Sequence, residues 1–212
     1  MADYAKLELE GTYSTFSNYK SPKVSFNPAE YAVTPDEFMH MEVQADTGGT
    51  TITISQLAST SAVVVKNNDS TNSVRVVWYN ARGSASYANL LTFADAATGD
   101  TITEDGGGTD FTASSVDVVA GGYVRITGAT DAANNSTFLV SSTTATAITL
   151  ATSETLTARD DGATITINSQ EKNSQTVPAG GFLVVSDIVP EEGLSLTASS
   201  SAVDCDVLIF GT

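Results

Sequence analysis

One histidine and one cysteine in a chain of 212 residues narrow the chemistry this protein can perform. Nucleophilic catalysis needs an acceptor for the nucleophile's proton, most often a histidine. His40 lies between Met39 and Met41 in an aromatic-rich stretch and reads as a packed or exposed structural side chain. Cys205 sits in the alternating segment Val203-Asp-Cys-Asp-Val207, where it reads as a small apolar strand residue. Asp204 and Asp206 beside it would raise the thiol's pKa, which opposes a reactive thiolate. A lone cysteine also rules out an internal disulfide and a thiolate metal centre.

Carboxylates are plentiful. Two of them at a set separation suffice for glycoside hydrolysis, and the chain has 25 acids. The pairs Glu104-Asp105, Asp160-Asp161 and Glu191-Glu192 fall among turn residues, however, and read as solvated loop charge. Asp105-Gly-Gly-Gly-Thr-Asp110 offers the oxygen ligands calcium prefers, but it lacks EF-hand spacing and the closing bidentate glutamate. No Gly-x-x-x-x-Gly-Lys phosphate cradle exists, and acids around Gly106–Gly108 would repel phosphate. Asn68, Asn134 and Asn135 head glycosylation sequons that matter only in a eukaryotic secretory host. The expectation is no enzyme: no catalytic residues, no metal and no cofactor.

Charge narrows the partners. With 9 basic residues against 25 acids the chain carries −16, so polyanions such as DNA, RNA and an anionic membrane repel it. Water or a basic protein surface suits it better. No run approaches the ~20 apolar residues of a membrane span. The opening Met-Ala-Asp-Tyr-Ala-Lys has no basic stretch followed by an apolar one, so synthesis in a host cytoplasm without a signal peptide is expected.

The elements that would position any site are strands. Thr50–Ser55, Ser73–Trp78, Tyr123–Thr127 and Ala163–Ile167 alternate with period two, as half-buried antiparallel strands do. Val63–Val65, Phe138–Val140, Phe182–Val185 and Val207–Phe210 are short apolar runs and read as strands buried on both faces. Lys66-Asn-Asn-Asp-Ser-Thr-Asn72 is turn chemistry between two strand patterns, so residues 61–79 are expected to form a hairpin. Only Tyr87–Ala97 has any helical potential. The expected fold is all-β: an antiparallel β-sandwich or jelly-roll-like core.

Three regions differ in character. Residues 1–46 hold seven of the 16 aromatic residues and three of the five prolines. Without sustained periodicity, this composition suits an extended N-terminal arm. Tyr13, Phe16, Tyr19, Phe26 and Tyr31 would be its partner-binding anchors, because aromatic side chains dominate protein interfaces. An equally open alternative has the segment wrap its own domain, since core and interface share one hydrophobic physics. Residues 47–98 and 169–212 would form the core. Residues 99–168 read as an inserted small β module, opened by Gly99-Asp-Thr-Ile-Thr103 and closed by Gly162-Ala-Thr-Ile-Thr166, which would bring its ends together.

Some of these patterns carry a resemblance. Thr176-Val-Pro-Ala-Gly-Gly-Phe-Leu-Val-Val185, Leu194–Ser201 and Val207-Leu-Ile-Phe-Gly-Thr212 resemble the ends of tailed-bacteriophage virion proteins, as does Val65–Val76. Gly122–Ala129, Asn134–Val140 and Thr144–Leu150 are similar to small β modules of phage tail and capsid proteins. The resemblance covers about two-thirds of the chain. It implies a virion structural protein, a capsid decoration or cement protein or a tail or head-fibre component, with a major capsid or tail protein as partner; the acidity of the chain favours decoration or cement on the particle exterior, away from packaged DNA. It also implies a homo-oligomer, for symmetric assembly is the norm in such parts. The alternative is a tail or fibre component that binds carbohydrate on a host surface.

Overall fold

The computed structural model describes residues 37–55, 57, 60–161 and 163–211. Its regular structure is fourteen strands and one short 3-10 turn at Ala132–Asn134. In chain order the strands are β1 (Glu37–Ala45), β2 (Thr50–Ile52), β3 (Thr60–Asn67), β4 (Val74–Ala88) and β5 (Leu91–Ala94). There follow β6 (Thr101–Glu104), β7 (Tyr123–Thr127), β8 (Thr137–Thr143), β9 (Ala147–Leu150) and β10 (Arg159–Asp161). The chain closes with β11 (Thr164–Val177), β12 (Phe182–Val185), β13 (Leu194–Ala198) and β14 (Val203–Gly211). No helix among the described residues is long and apolar enough to cross a membrane.

The strands pair antiparallel in two sheets. One has four strands in the order β1-β14-β3-β12; the other has ten, in the order β10-β5-β6-β9-β8-β7-β11-β4-β13-β2. Period-two alternation is why these segments became strands: β7 and β13 each bury every second side chain, Val124 and Ile126 in one, Leu194 and Leu196 in the other. β-Branched side chains stand well on a pleated surface, which suits the Thr- and Val-rich composition.

Two hydrophobic clusters result. The first lies between the sheets, with Val63, Val65, Val207 and Ile209 from the four-stranded sheet meeting Val74, Val76, Leu194 and Leu196 from the other. The second takes Tyr87, Phe93, Ile102, Ile126, Ile148 and Ile167 from the ten-stranded sheet. Segments outside the strands add Phe111, Val116, Val118 and Leu156.

β4 and β11, 15 and 14 residues long, run side by side through both clusters. Between the clusters their register shifts. Gln170 pairs with Ala81 and Ser169 with Gly83, leaving Arg82 as an extra residue. The bulge reverses which β4 side chains face inward: Val74 and Val76 belong to the first cluster, Ala85 and Tyr87 to the second. Gly83 is required there. A Cβ on it would lie 2.5 Å from the carbonyl oxygen of Ser115 and 2.7 Å from that of Val116. The Ser84 amide donates to the same Ser115 carbonyl at 2.8 Å, so the covering loop is pinned at the bulge.

Two local expectations fail. Residues 61–79 do not form a hairpin: β3 lies between β14 and β12, whereas β4 lies between β11 and β13 in the other sheet. Residues 68–73 carry the chain from one sheet to the other. Asp69 accepts from the amides of Thr71 and Asn72, both at 2.6 Å, and the buried Asn67 amide donates to the carbonyls of Asn72, Val177 and Pro178. Such turn chemistry reverses a chain whether or not the flanking strands pair. Tyr87–Ala97, the one stretch with some helical potential, is strand and turn in keeping with the all-β expectation, because Leu91 and Phe93 alternate into the second cluster. Lastly, Phe182–Val185 is not buried on both faces, since Phe182 and Val184 point outward from an edge strand.

Candidate functional site

The five arm residues singled out from sequence, Tyr13, Phe16, Tyr19, Phe26 and Tyr31, lie outside the described residues. The surface closest to them in chain order is the four-stranded sheet, whose edge strand β1 follows directly. Its inner face joins the first cluster; its outer face carries two cross-strand rows. One row reads His40, Leu208, Val64, Val184 and the next Glu42, Asp206, Lys66, Phe182. Val64 is buried on this outer face and belongs to neither hydrophobic cluster.

The far side of the sheet is distinctive. Phe182 and Val184, 46% and 42% exposed, are the large exposed hydrophobic side chains among the described residues. Both stand on β12, which pairs with β3 on one side and with no described strand on the other. An open edge offers backbone donors and acceptors to another chain, and here apolar side chains flank them. Acidic residues bracket this edge: Asp187 follows β12 by two residues, and the Asp69 carbonyl accepts from Gly180 just before it. Backbone amides of Asn72 and Thr71 hold the Asp69 carboxyl below its ordinary value. Asp206, in the middle of the face, is lowered chiefly by the hydrogen bond from Asn68, with His40 and Lys66 helping.

A second feature sits where the two clusters meet. Tyr79 and Tyr123 contact edge to face with centroids 5.3 Å apart. The Lys172 ammonium lies 5.6 Å from the first ring centre and 5.4 Å from the second, within cation–π range. Beside them, Glu192 is held by Arg125 at 3.1 Å, by the Thr137 hydroxyl and by the Gln170 amide at 3.4 Å. Thr51, Val77, Tyr79, Lys172, Glu192 and Ser195 line an open pocket of about 260 Å³. Burial raises the Tyr79 phenol's pKa, so at neutral pH the ring presents a neutral hydroxyl. The arrangement holds no nucleophile with an adjacent base.

The chemistry-bearing residues read from sequence fall elsewhere. His40 is exposed and faces Asp206 at 3.4 Å. Cys205 is 1% exposed; burial, then Asp204 and Asp206, push its thiol up to about 11. In the loop 105–110, Asp105 accepts from Thr92 at 2.6 Å. No three His, Cys, Asp or Glu side chains gather to hold a metal ion among the described residues. Glu104 and Glu192, taken as solvated loop charge, are in fact tied down: Glu104 accepts from the Gly108 amide at 2.5 Å, Glu192 from the set above.

Sequence reasoning also missed Phe182, Val184, Tyr79 and Lys172 as surface features. An apolar run of four does not distinguish an edge strand from a central one. Tyr79 and Lys172 are brought opposite each other only by the pairing of β4 with β11. Comparison with known family models, with curated proteins and with solved structures finds no match for this chain.

Proposed function

We propose that this protein is a non-enzymatic structural component of a bacteriophage particle, binding neighbouring subunits as a capsid decoration or cement protein on the exterior. The observation that supports it most is the open strand β12 with Phe182 and Val184 exposed beside it, since soluble proteins usually blunt such edges with charge or cover. In this reading the four-stranded sheet and the strands facing it act as a rigid β-sandwich of jelly-roll type. The second cluster projects as a separate module, and the segment that precedes β1 reaches over neighbours, with Tyr13, Phe16, Tyr19, Phe26 and Tyr31 filling pockets. The net charge of −16 fits an outward position away from packaged nucleic acid.

The test is incorporation. Purified particles are expected to contain the protein on the head, and a chain lacking residues 1–35 is expected to stay folded yet be absent from them. Particles that retain the truncated chain at full occupancy would defeat the arm's role, and a protein absent from particles altogether would defeat the reading.

A second reading, a tail or fibre part that binds host carbohydrate, draws support from the pocket at Tyr79, Lys172 and Glu192. One aromatic ring, Tyr79, beside the Glu192 carboxylate and the hydroxyls of Thr51 and Ser195 offers a sugar both a stacking face and hydrogen-bonding groups. Glycan-array binding by the full chain, lost in Lys172→Ala, would favour it over the first.

A further inference from the structure

We infer that two copies of the chain pair through β12, antiparallel across a two-fold axis, so that their four-stranded sheets join edge to edge. This rests on the subunit-binding reading and names the subunit: a second molecule of the same protein.

The backbone fixes the register. β12 pairs antiparallel with β3 and with no described strand on its other side. The Asn67 amide donates to the Gly181 carbonyl at 2.9 Å, so Gly181 turns its backbone toward β3. Along an antiparallel strand, successive residues direct their amide and carbonyl to alternate sides. Leu183 and Val185 therefore face β3 as well, and the amides and carbonyls of Phe182 and Val184 face the open edge. These two residues also carry the exposed apolar side chains, both on the outer face of the sheet. A two-fold axis at Leu183 sets Phe182 opposite Val184 of the second copy, and Val184 opposite its Phe182. In that register each pair exchanges two backbone hydrogen bonds, and the opposed side chains stand on one face. One placement satisfies backbone and side chains together.

The other edge of the sheet matches β12 less well. β1 turns the exposed His40 and Glu42 to the outer face, so a head-to-tail joint would set charge against Phe182 and Val184. Pairing β12 with itself sets apolar against apolar, and closed two-fold symmetry is the commonest form of oligomer. The joint is short. It buries less than the roughly 1,200 Å² of a standard interface, so dilute copies pair weakly, while copies held side by side in an assembly pair readily.

Charge opposes the joint without blocking it. On the outer face Lys66 stands next to Phe182, its ammonium 4.0 Å from Asp206, and His40, Glu42 and Asp204 lie on the strands beyond. Past the end of β12, Asp187 of one copy falls opposite residue 179 of the other. That places it beside the turn where the Asp69 carbonyl accepts from Gly180. Acid meets acid there, and each copy carries −16 overall. Added salt screens both repulsions and should strengthen the pairing.

The experiment uses the full chain in sedimentation velocity over rising concentration. A monomer–dimer equilibrium is expected that tightens with salt and is weakened at least about tenfold by Phe182→Asp/Val184→Asp. Both side chains are exposed, so circular dichroism and the thermal midpoint should be retained. Oxidation reads the register. Phe182→Cys and Val184→Cys chains mixed together should form disulfide-linked dimers faster than either alone, because opposed residues lie about 5.5 Å apart and like positions roughly 8 Å. Cys205 is buried and does not compete. A chain monomeric to about 1 mM, association that salt weakens, equal cross-linking of mixed and separate variants, or indifference to the double aspartate substitution would each overturn the inference. Incorporation of the wild-type chain into particles, measured separately, tells whether the subunit-binding reading falls with it.

Discussion

The two hydrophobic clusters are closed in different ways, and their side chains differ accordingly. The first is covered by a second sheet, and its fully buried members are aliphatic, apart from Cys205. The second is covered by segments outside the strands, and it holds Tyr87, Phe93, Phe111 and Phe138. Facing sheets keep a spacing near 10 Å, which branched aliphatics from both faces fill by interdigitation. Loops impose no such spacing. Large rings then take up the volume, and a polar tip ties the loop down: the Tyr87 hydroxyl donates to the Thr109 carbonyl at 2.7 Å while its ring packs against Phe111 at 5.3 Å.

Each cluster also contains one titratable reporter. Burial pushes Tyr87 up to about 12, with Glu104 and Asp110 adding to the effect, and pushes Cys205 up to about 11. The strongest test of whether the clusters are separate units is Phe111→Ala, which removes a fully buried ring from the covering loop of the second. A loss of about 3–5 kcal/mol is expected. Tyr87 should then ionise closer to the ordinary tyrosine range in an ultraviolet titration. Cys205 should remain unreactive toward a thiol reagent at neutral pH. Equal exposure of Cys205 would mean that the shared β4–β11 ribbon couples the two into one cooperative unit.

Gly83→Ala addresses the same comparison at the joint. The added methyl would press on the carbonyls of Ser115 and Val116, backbone atoms that cannot swing aside. A cost of about 1–3 kcal/mol is expected. Hydrogen exchange should show it as lost protection at Ser84 and in the loop around Phe111, with β3 and β14 unchanged.

The strands themselves were legible: Tyr123–Thr127 and Thr164–Ile167 state their period in single residues, and they fold as β7 and the start of β11. Partner choice was not. The asparagine-rich stretch after Val65 carries the turn signals of a hairpin, yet Asn67 uses its amide to bind Val177 and Pro178, more than a hundred residues on. Likewise nothing local separates Glu191, exposed, from Glu192, which Arg125 reaches from β7. What the chain did offer is scarcity: with nine basic residues, an arginine inside a strand pattern was worth pairing with some acid. Which acid depends on long-range register. The exposed edge at Phe182 was hidden for the same reason, since its burial is decided by how many strands lie beyond it.

Alkali should separate the clusters more gently than substitution. Both reporters have raised folded values, so each contributes stability that is whole below its unfolded pKa and is lost as pH rises through its folded one. For Cys205 that window runs from the ordinary thiol range to about 11; for Tyr87 it runs from the ordinary tyrosine range to about 12. As pH is raised, the first cluster should therefore loosen before the second. Thiol labelling that precedes the slow tyrosine absorbance change would bear this out, and the reverse order would contradict it.

The smallest effect is expected at the turn that carries the chain between sheets. Backbone amides of Asn72 and Thr71 lower the Asp69 pKa, so its contribution is present above the unfolded carboxyl value and fades as pH falls through the folded one. Asp69 is solvent-facing, and Asn67 braces the same turn from inside, so Asp69→Ala should lower the thermal midpoint only slightly at pH 7. The difference from wild type should shrink further in acid, where the native carboxyl is protonated too. Because residues 68–73 join two strands of the first cluster, the perturbation should register in Cys205 labelling and leave the Tyr87 titration where it was. A shift in Tyr87 would show that even this exposed turn is felt across the β4–β11 ribbon.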